Sequence, residues 1–228
     1  MENNTRQQQL GTERIGRLLL RYSTPSIIAM TAASLYNMVD SIFIGRGCDP
    51  LALAGLATTF PVMNLSAAFG AMVGVGSSTL ISVKMGQRDK EGAETALGNV
   101  VWLNTAIGLA FMTLALIFLD PILLFFGASE ATLPYAREYM QTLLCGNVLT
   151  HLYLGLNDVV RASGYPQRAM AATLTAVTIN AVFNYIFIFV MELGIRGAAI
   201  GTLCAQATAF CGICFHYTRP DTYLRFSR

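Results

Sequence analysis

Charge is what this sequence has least of. Only 12% of its 228 residues are Asp, Glu, Lys or Arg, while 54% are apolar, whereas a soluble domain averages about 25% charged. A water-soluble globule is thereby nearly excluded. The 15 basic and 13 acidic residues leave a net charge of +2, too small and too scattered to hold a nucleic acid. Cysteine is scarce as well. Five is an odd number, and Cys145, Cys204, Cys211 and Cys214 lie in apolar runs, so no disulfide framework is indicated. Cys211 and Cys214 form a C-x-x-C with no βαβ context and no second ligand pair, which reads as small residues packing helices, not as a redox or zinc site. The sequence has no phosphate loop, no H-E-x-x-H and no G-x-S-x-G, and Gly74-x-Gly76 follows no strand, so neither an enzyme nor an organic cofactor is expected. Internal repeats are absent, and low complexity is confined to Gln7–Gln9. Residues 1–24 are polar and carry no secretory signal pattern.

What the sequence does have is apolar length. Charged residues leave six gaps: Pro25–Ser41 (broken only by Asp40), Pro50–Val83, Thr95–Leu119, Tyr139–Asn157, Ala169–Met191 and Gly197–Thr218. Each holds at least the roughly 17–25 residues that a helix needs to cross a hydrocarbon core of about 30 Å. The reading is all-α, a polytopic membrane protein of six transmembrane helices. The second gap is too long for one straight span, which predicts an interfacial stretch or a bend near Pro61, Gly70, Gly74 and Gly76. The Gly70–Gly74 and Gly197–Gly201 pairs are G-x-x-x-G patterns that let helix backbones approach.

Basic residues test this parse independently. On one side fall Arg6, Arg14, Arg17, Arg21, Lys84, Arg88, Lys90, Arg161, Arg168, Arg219, Arg225 and Arg228; on the other only Arg46, Arg137 and Arg196. Basic residues near spans stay cytoplasmic, so both termini are placed inside. Residues 1–24 form a cytoplasmic tail in which Ile15, Leu18, Leu19 and Tyr22 recur at helical spacing between arginines, as in a helix lying on an anionic leaflet or a polar extension of the first span. Residues 25–218 form the six-helix body, and 219–228 a cytoplasmic tail.

A carboxylate at membrane depth costs several kcal/mol and usually marks function. Asp40 lies roughly 22 Å above the inner face, Asn180 and Asn184 roughly 18 and 24 Å, and Thr202 roughly 22 Å, counting about 1.5 Å per residue along each span. All four reach one level. Asn180 and Asn184 share a helix face, so a carboxylate, two amide oxygens and a hydroxyl converge as a set that suits Na⁺, with a proton on Asp40 as the other occupant. The bland alternative is that the amides and hydroxyl merely bridge helices while Asp40 faces a wet vestibule.

Several segments together resemble the N-terminal half of a multidrug and toxic compound extrusion (MATE) transporter. These are Leu35-Tyr36-Asn37-Met38-Val39-Asp40, Leu51-Ala52-Leu53-Ala54-Gly55-Leu56, Gly74-Val75-Gly76-Ser77-Ser78, Arg161-Ala162-Ser163-Gly164-Tyr165-Pro166, Asn180-Ala181-Val182-Phe183-Asn184 and Gly194–Thr202. The resemblance implies one lobe of a two-lobed antiporter in the cell (inner) membrane that exports amphipathic, often cationic drugs in exchange for H⁺ or Na⁺. Asp40, Asn180 and Thr202 match the family's cation site. Asn184 departs from it, since many members have an aspartate there, and this site therefore carries one negative charge fewer. Tyr36 and Asn37 are candidates to line the drug pocket. Family members have about twelve spans, so the expected partners, besides the bilayer and the drug, are a second lobe or a second copy of this chain.

Two other classes use the same composition. An intramembrane serine protease would need a serine and a histidine to meet in the bilayer; Ser163 lies in a polar loop, His216 at the end of the last span and His151 inside the fourth. A non-transporting or channel-forming six-span protein is the third reading.

Overall fold

The structure, a computed structural model, describes residues 15–218 and Leu224. The expected tails, 1–14 and most of 219–228, lie outside the described residues, as do the side chains of Leu18 and Arg21. Among the described residues eight α-helices follow in order: α1 (Ile15–Gly47), α2 (Pro50–Gly86), α3 (Lys90–Ile117), α4 (Leu119–Phe125), α5 (Leu133–Cys145), α6 (Asn147–Ala162), α7 (Pro166–Asn184) and α8 (Gly194–Thr218), with a π-helical turn over Tyr185–Val190 continuing α7. Among the described residues five rods, with α7 and its π turn counted as one, are long and apolar enough to cross a membrane.

The sixth crossing departs from the expected single helix. Between Leu133 and Ala162 the chain breaks at Gly146 into pieces of 13 and 16 residues, each short of the roughly 20 residues of a span. A side chain at position 146 would collide with Leu203 of α8, so close packing holds the break. The two pieces still form one traverse. Ala136, Tyr139, Met140 and Leu144 of α5 belong to a core at one end of the bundle, and Tyr153, Leu156, Val159 and Val160 of α6 to a core at the other.

Those two cores order the whole lobe. The first joins the end of α1 (Ile44), the start of α2 (Ala52, Leu56), α4, and the start of α8 (Ile195, Ala198, Ala199); the second joins the end of α2 (Ile81), the start of α3 (Ala93, Leu97), the start of α7 (Ala169) and the end of α8 (Ile213, Tyr217). Successive rods therefore run antiparallel. Arg161 and Arg168 flank the second core.

Two long helices carry a proline within them. The first helix does not begin after residue 24 but runs unbroken from Ile15 through Pro25. The helix before Pro25 has its Tyr22 carbonyl occupied by the Ser26 hydroxyl, at 2.9 Å, which takes up part of the bonding that proline disturbs. Likewise α2 is continuous over 37 residues through Pro61, capped at its start by Asp49, whose carboxylate accepts from Leu51 N at 2.8 Å. Both G-x-x-x-G pairs sit at tight contacts. A Cβ at Gly74 would come within 3.0 Å of Gly155 Cα, and one at Gly197 within 2.9 Å of Phe187 O.

The outer surface is apolar. On α1 a narrow stripe of Ala29, Ala32, Asp40 and Ile44 faces the bundle, while Ile27, Met30 and Met38 stay more than half exposed. Trp102, Ile117 and Phe125 are likewise exposed. In water such a surface would aggregate; in a bilayer it is the solvated face.

Candidate functional site

Three helices converge on Asp40. It lies on the bundle-facing stripe of α1, one turn inside Ile44, and is 2% exposed. The last turn of α7 brings Asn180 and Asn184, both fully buried, and the first half of α8 brings Thr202 at 2%. Asn184 Nδ2 donates to Asp40 Oδ1 at 2.5 Å and Thr202 Oγ1 to Asp40 Oδ2 at 3.3 Å. Asn180 Nδ2 donates to Thr202 Oγ1 and to the Tyr36 hydroxyl, each at 3.2 Å, while its Oδ1 accepts from Asn184 Nδ2 at 3.2 Å. Thus five polar side chains from three helices form one hydrogen-bonded group inside the lobe.

The local backbone explains the convergence. The π turn begins directly after Asn184, and such turns re-aim the residues around them. Gly201 leaves the necessary space, because a Cβ there would stand 2.7 Å from Asn184 Oδ1. That oxygen has no hydrogen-bond partner among the described residues. Around the carboxylate, then, hydrogens are aimed inward and the spare amide oxygen is turned toward α8. As arranged, the group serves an anion that can take a proton more directly than it serves a cage of oxygen ligands for a metal ion.

The two pocket candidates part company. Tyr36 lines a cavity of 210 Å³ between α1, α6, α7 and α8, together with Tyr153, Asn157, Asp158, Thr173 and Gln206. Asn37, one residue on, is exposed and does not line it. The cavity thus touches the Asp40 group through Tyr36, whose hydroxyl accepts from Asn180.

A second buried polar group escaped the depth arithmetic. Ser66 Oγ donates to Asn147 Oδ1 at 2.6 Å and stands 3.0 Å from His151 Nε2, and Asn147 Nδ2 donates to Gly108 O at 3.1 Å. The Ser66–His151 pair has the distance of a protease dyad, but the serine hydrogen is directed to Asn147, and His151 is fully buried. Ser163, the serine considered from sequence, is buried and bonds to Val159 O at 2.7 Å, and His216 Nδ1 faces Arg168 at 2.6 Å. Neither histidine meets Ser163. All five cysteines are free.

Outside the spans, the α2–α3 turn is electrostatically tuned. Asp89 caps α3 by accepting from Gly92 N at 2.9 Å and holds Lys84 Nζ at 2.8 Å. The Lys84 hydrogen bond, with help from Gly92 N, keeps its carboxyl below the usual range.

Among the described residues, antiparallel rods with an apolar exterior and a carboxylate buried between them define a multi-pass helical membrane protein of the transporter type. Residues 25–186 match the MatE family model, and the chain belongs to that family. It is 27% identical over 213 residues to the multidrug export protein MepA of Staphylococcus haemolyticus strain JCSC1435, a match covering 93% of this chain and 47% of that protein. Among solved structures, a MATE protein in the bent conformation is 31% identical with a TM-score of 0.86, covering 92% of this chain and 47% of the other. A MATE protein in complex with MaL6 is 30% identical with a TM-score of 0.88. The chain spans about half the length of the relatives it matches.

Proposed function

We propose that this chain works as one lobe of a secondary active multidrug exporter in the cell membrane, coupled by protonation of Asp40. The observation that carries the reading is a carboxylate 2% exposed, held by Asn184 and Thr202 and joined through Asn180 and Tyr36 to a cavity. A buried acid alternates between charged and neutral forms only if it can lose its proton on one side of the membrane and regain it on the other, which is the requirement of an antiporter.

Mechanistically, the charged carboxylate is stabilised by the Asn184 amide and the Thr202 hydroxyl. Proton uptake removes the anion that those donors serve, and the α1–α7–α8 contact loses its strongest hydrogen bonds. The three helices then favour a different packing, which changes the cavity that Tyr36 borders. A drug bound there sees the altered wall. Amphipathic cations fit a cavity with two tyrosines and Asp158 on its surface. The opposite wall would come from a second lobe, either more of the same polypeptide or a second copy.

The test is dye efflux from intact cells, with the lobe in its two-lobed context. Asp40→Asn is expected to abolish efflux driven by a pH gradient while membrane insertion is retained. Efflux at the wild-type rate would remove Asp40 from the mechanism.

A further inference from the structure

Arg168 is a cation held in place without an anion. It lies in the first turn of α7, half-buried, at the end of the bundle that Arg161 also flanks. Its Nη1 donates to His216 Nδ1 of α8 at 2.6 Å, and its guanidinium stands 5.0 Å over the Tyr165 ring, which itself meets the His216 ring edge-on at 5.0 Å. These contacts fix the direction of the group and leave its charge unanswered. Among the described residues no carboxylate pairs with it. A guanidinium carries its N–H donors in a rigid fork suited to phosphate, so an oxyanion that meets it here finds the donors already oriented.

Arg168 and His216 line the polar end of a groove of 300 Å³ between α7 and α8. From that end the groove runs toward the membrane interior between small side chains, Ala171, Ala172 and Thr175 on α7 and Thr208, Ala209 and Gly212 on α8. Thr175 lies roughly 10 Å deeper than Arg168, at about 1.5 Å of rise per residue. The groove opens outward, since Ala171, Thr175, Thr208 and Gly212 are exposed. No residue of α1 lines it, and it is separate from the cavity at Tyr36. Nearby threonines spend their hydroxyl hydrogens on their own helices, Thr173 at 3.1 Å and Thr178 and Thr208 at 2.9 Å. Thr175 makes no such bond among the described residues, which leaves a donor inside an otherwise apolar trough.

We propose that this groove holds one anionic phospholipid, with its phosphate on Arg168, an ester carbonyl facing Thr175 and an acyl chain along Ala171, Ala172 and Gly212. The order of the lining selects the occupant. A fixed cation near the end of the helices, followed by an apolar trough running inward, matches a molecule whose charge and hydrocarbon are joined in that order, and basic pockets between membrane helices hold anionic head groups in this way. Free phosphate would use the cation and leave the trough empty. A second copy of the chain would lay an apolar helix against a wall that carries an unanswered charge.

Native mass spectrometry of the full chain released from detergent micelles, with dioleoyl phosphatidylglycerol and dioleoyl phosphatidylcholine supplied in equal amounts, counts which lipid is retained. The two share their acyl chains and phosphate and differ in net charge. One tightly held lipid is expected, with phosphatidylglycerol preferred about fivefold, the worth of roughly one basic side chain near a membrane surface. Arg168→Gln should bring the preference close to one. Arg88→Gln, at an exposed arginine on the same end of the bundle, should leave it intact. Gly212→Leu should lower retention of both lipids alike by filling the trough; a Cβ there meets nothing within 4 Å, so the chain still folds, and this variant decides the matter if Arg168→Gln does not fold. Excess inorganic phosphate should not displace the lipid. No preference in the unaltered chain, a preference that survives Arg168→Gln, one lost on Arg88→Gln, undiminished retention in Gly212→Leu, or complete displacement by phosphate each overturn the inference. A dimer that excludes lipid and falls apart on Gly212→Leu overturns it in favour of a second copy. None of these outcomes bears on Asp40, whose role is read by efflux.

Discussion

Position 184 decides what the carboxylate group can hold. Asn184 puts an N–H 2.5 Å from Asp40 Oδ1; an aspartate would put a second negative oxygen there. Two carboxylates so close cannot both stay charged without a proton or cation between them. Asn184→Asp is therefore expected to create Na⁺-dependent stability, on the order of 1–3 kcal/mol at saturating Na⁺, where the unaltered chain shows none. Thermal unfolding in Na⁺ against choline measures this, and superimposable Na⁺ titrations of the two proteins would reject the charge argument. Asp40, Asn180, Asn184 and Thr202 were all legible from sequence, because depth in a membrane follows from counting residues. The pairing of Arg168 with His216 was not: the two stand 48 positions apart, and only the return of α8 alongside α7 brings them together. Ser66 and Asn147 were invisible for a similar reason, since hydroxyls and amides are common in spans and only packing pairs them.

Among the helices, close approach and capping carry the testable weight. Gly74 of α2 presses on Gly155 of α6, and Asp158 Oδ2 lies 2.9 Å from where its Cβ would be. Gly74→Val should force α2 and α6 apart and lower stability by about 1–3 kcal/mol, read as a fall in the thermal midpoint in detergent. No change would mean that the two helices slide freely. At the α2–α3 turn, Asp89 has its carboxyl held below the ordinary range by Lys84 and Gly92. Its contribution is fully present above the ordinary carboxylate value and is lost as pH falls through the lowered one. Acidification from about pH 6 to about pH 3 should therefore destabilise the unaltered chain more than Asp89→Ala, and parallel pH profiles would show that the cap contributes nothing. Rod number was readable in the charge gaps. The break at Gly146 was not, because glycine is frequent in membrane helices and this one is broken by its contact with Leu203, a residue 57 positions away.

For the molecule as a whole, the exposed face of α1 is not uniformly apolar. Trp102, Ile117 and Phe125 are exposed, and α1 also exposes Ser34 and Asn37 with Ser41 half-buried beside them, the two serine hydroxyls bonding back to their own helix at 2.9–3.0 Å. Polar side chains facing acyl tails are unfavourable, so this face should seek cover. Expressed by itself, the chain is expected to run as a dimer or larger species in detergent sizing with light scattering, and cross-links should form at Asn37→Cys before Trp102→Cys. A stable monomer that resists cross-linking at both positions would count against an unfinished cleft.

Composition and the spacing of charges alone pointed to the fold class, the number of membrane passes and the level at which an acid meets its oxygen and nitrogen partners. Those properties follow from a one-dimensional solvent, the bilayer, in which position along the chain converts directly into depth. Rotation about each helix axis has no such ruler. Which way Asn184 turns its amide, whether Asn37 or Tyr36 borders the cavity, and where a rod must break at a glycine were decided only by helices packing against one another, since those contacts join residues up to 162 positions apart.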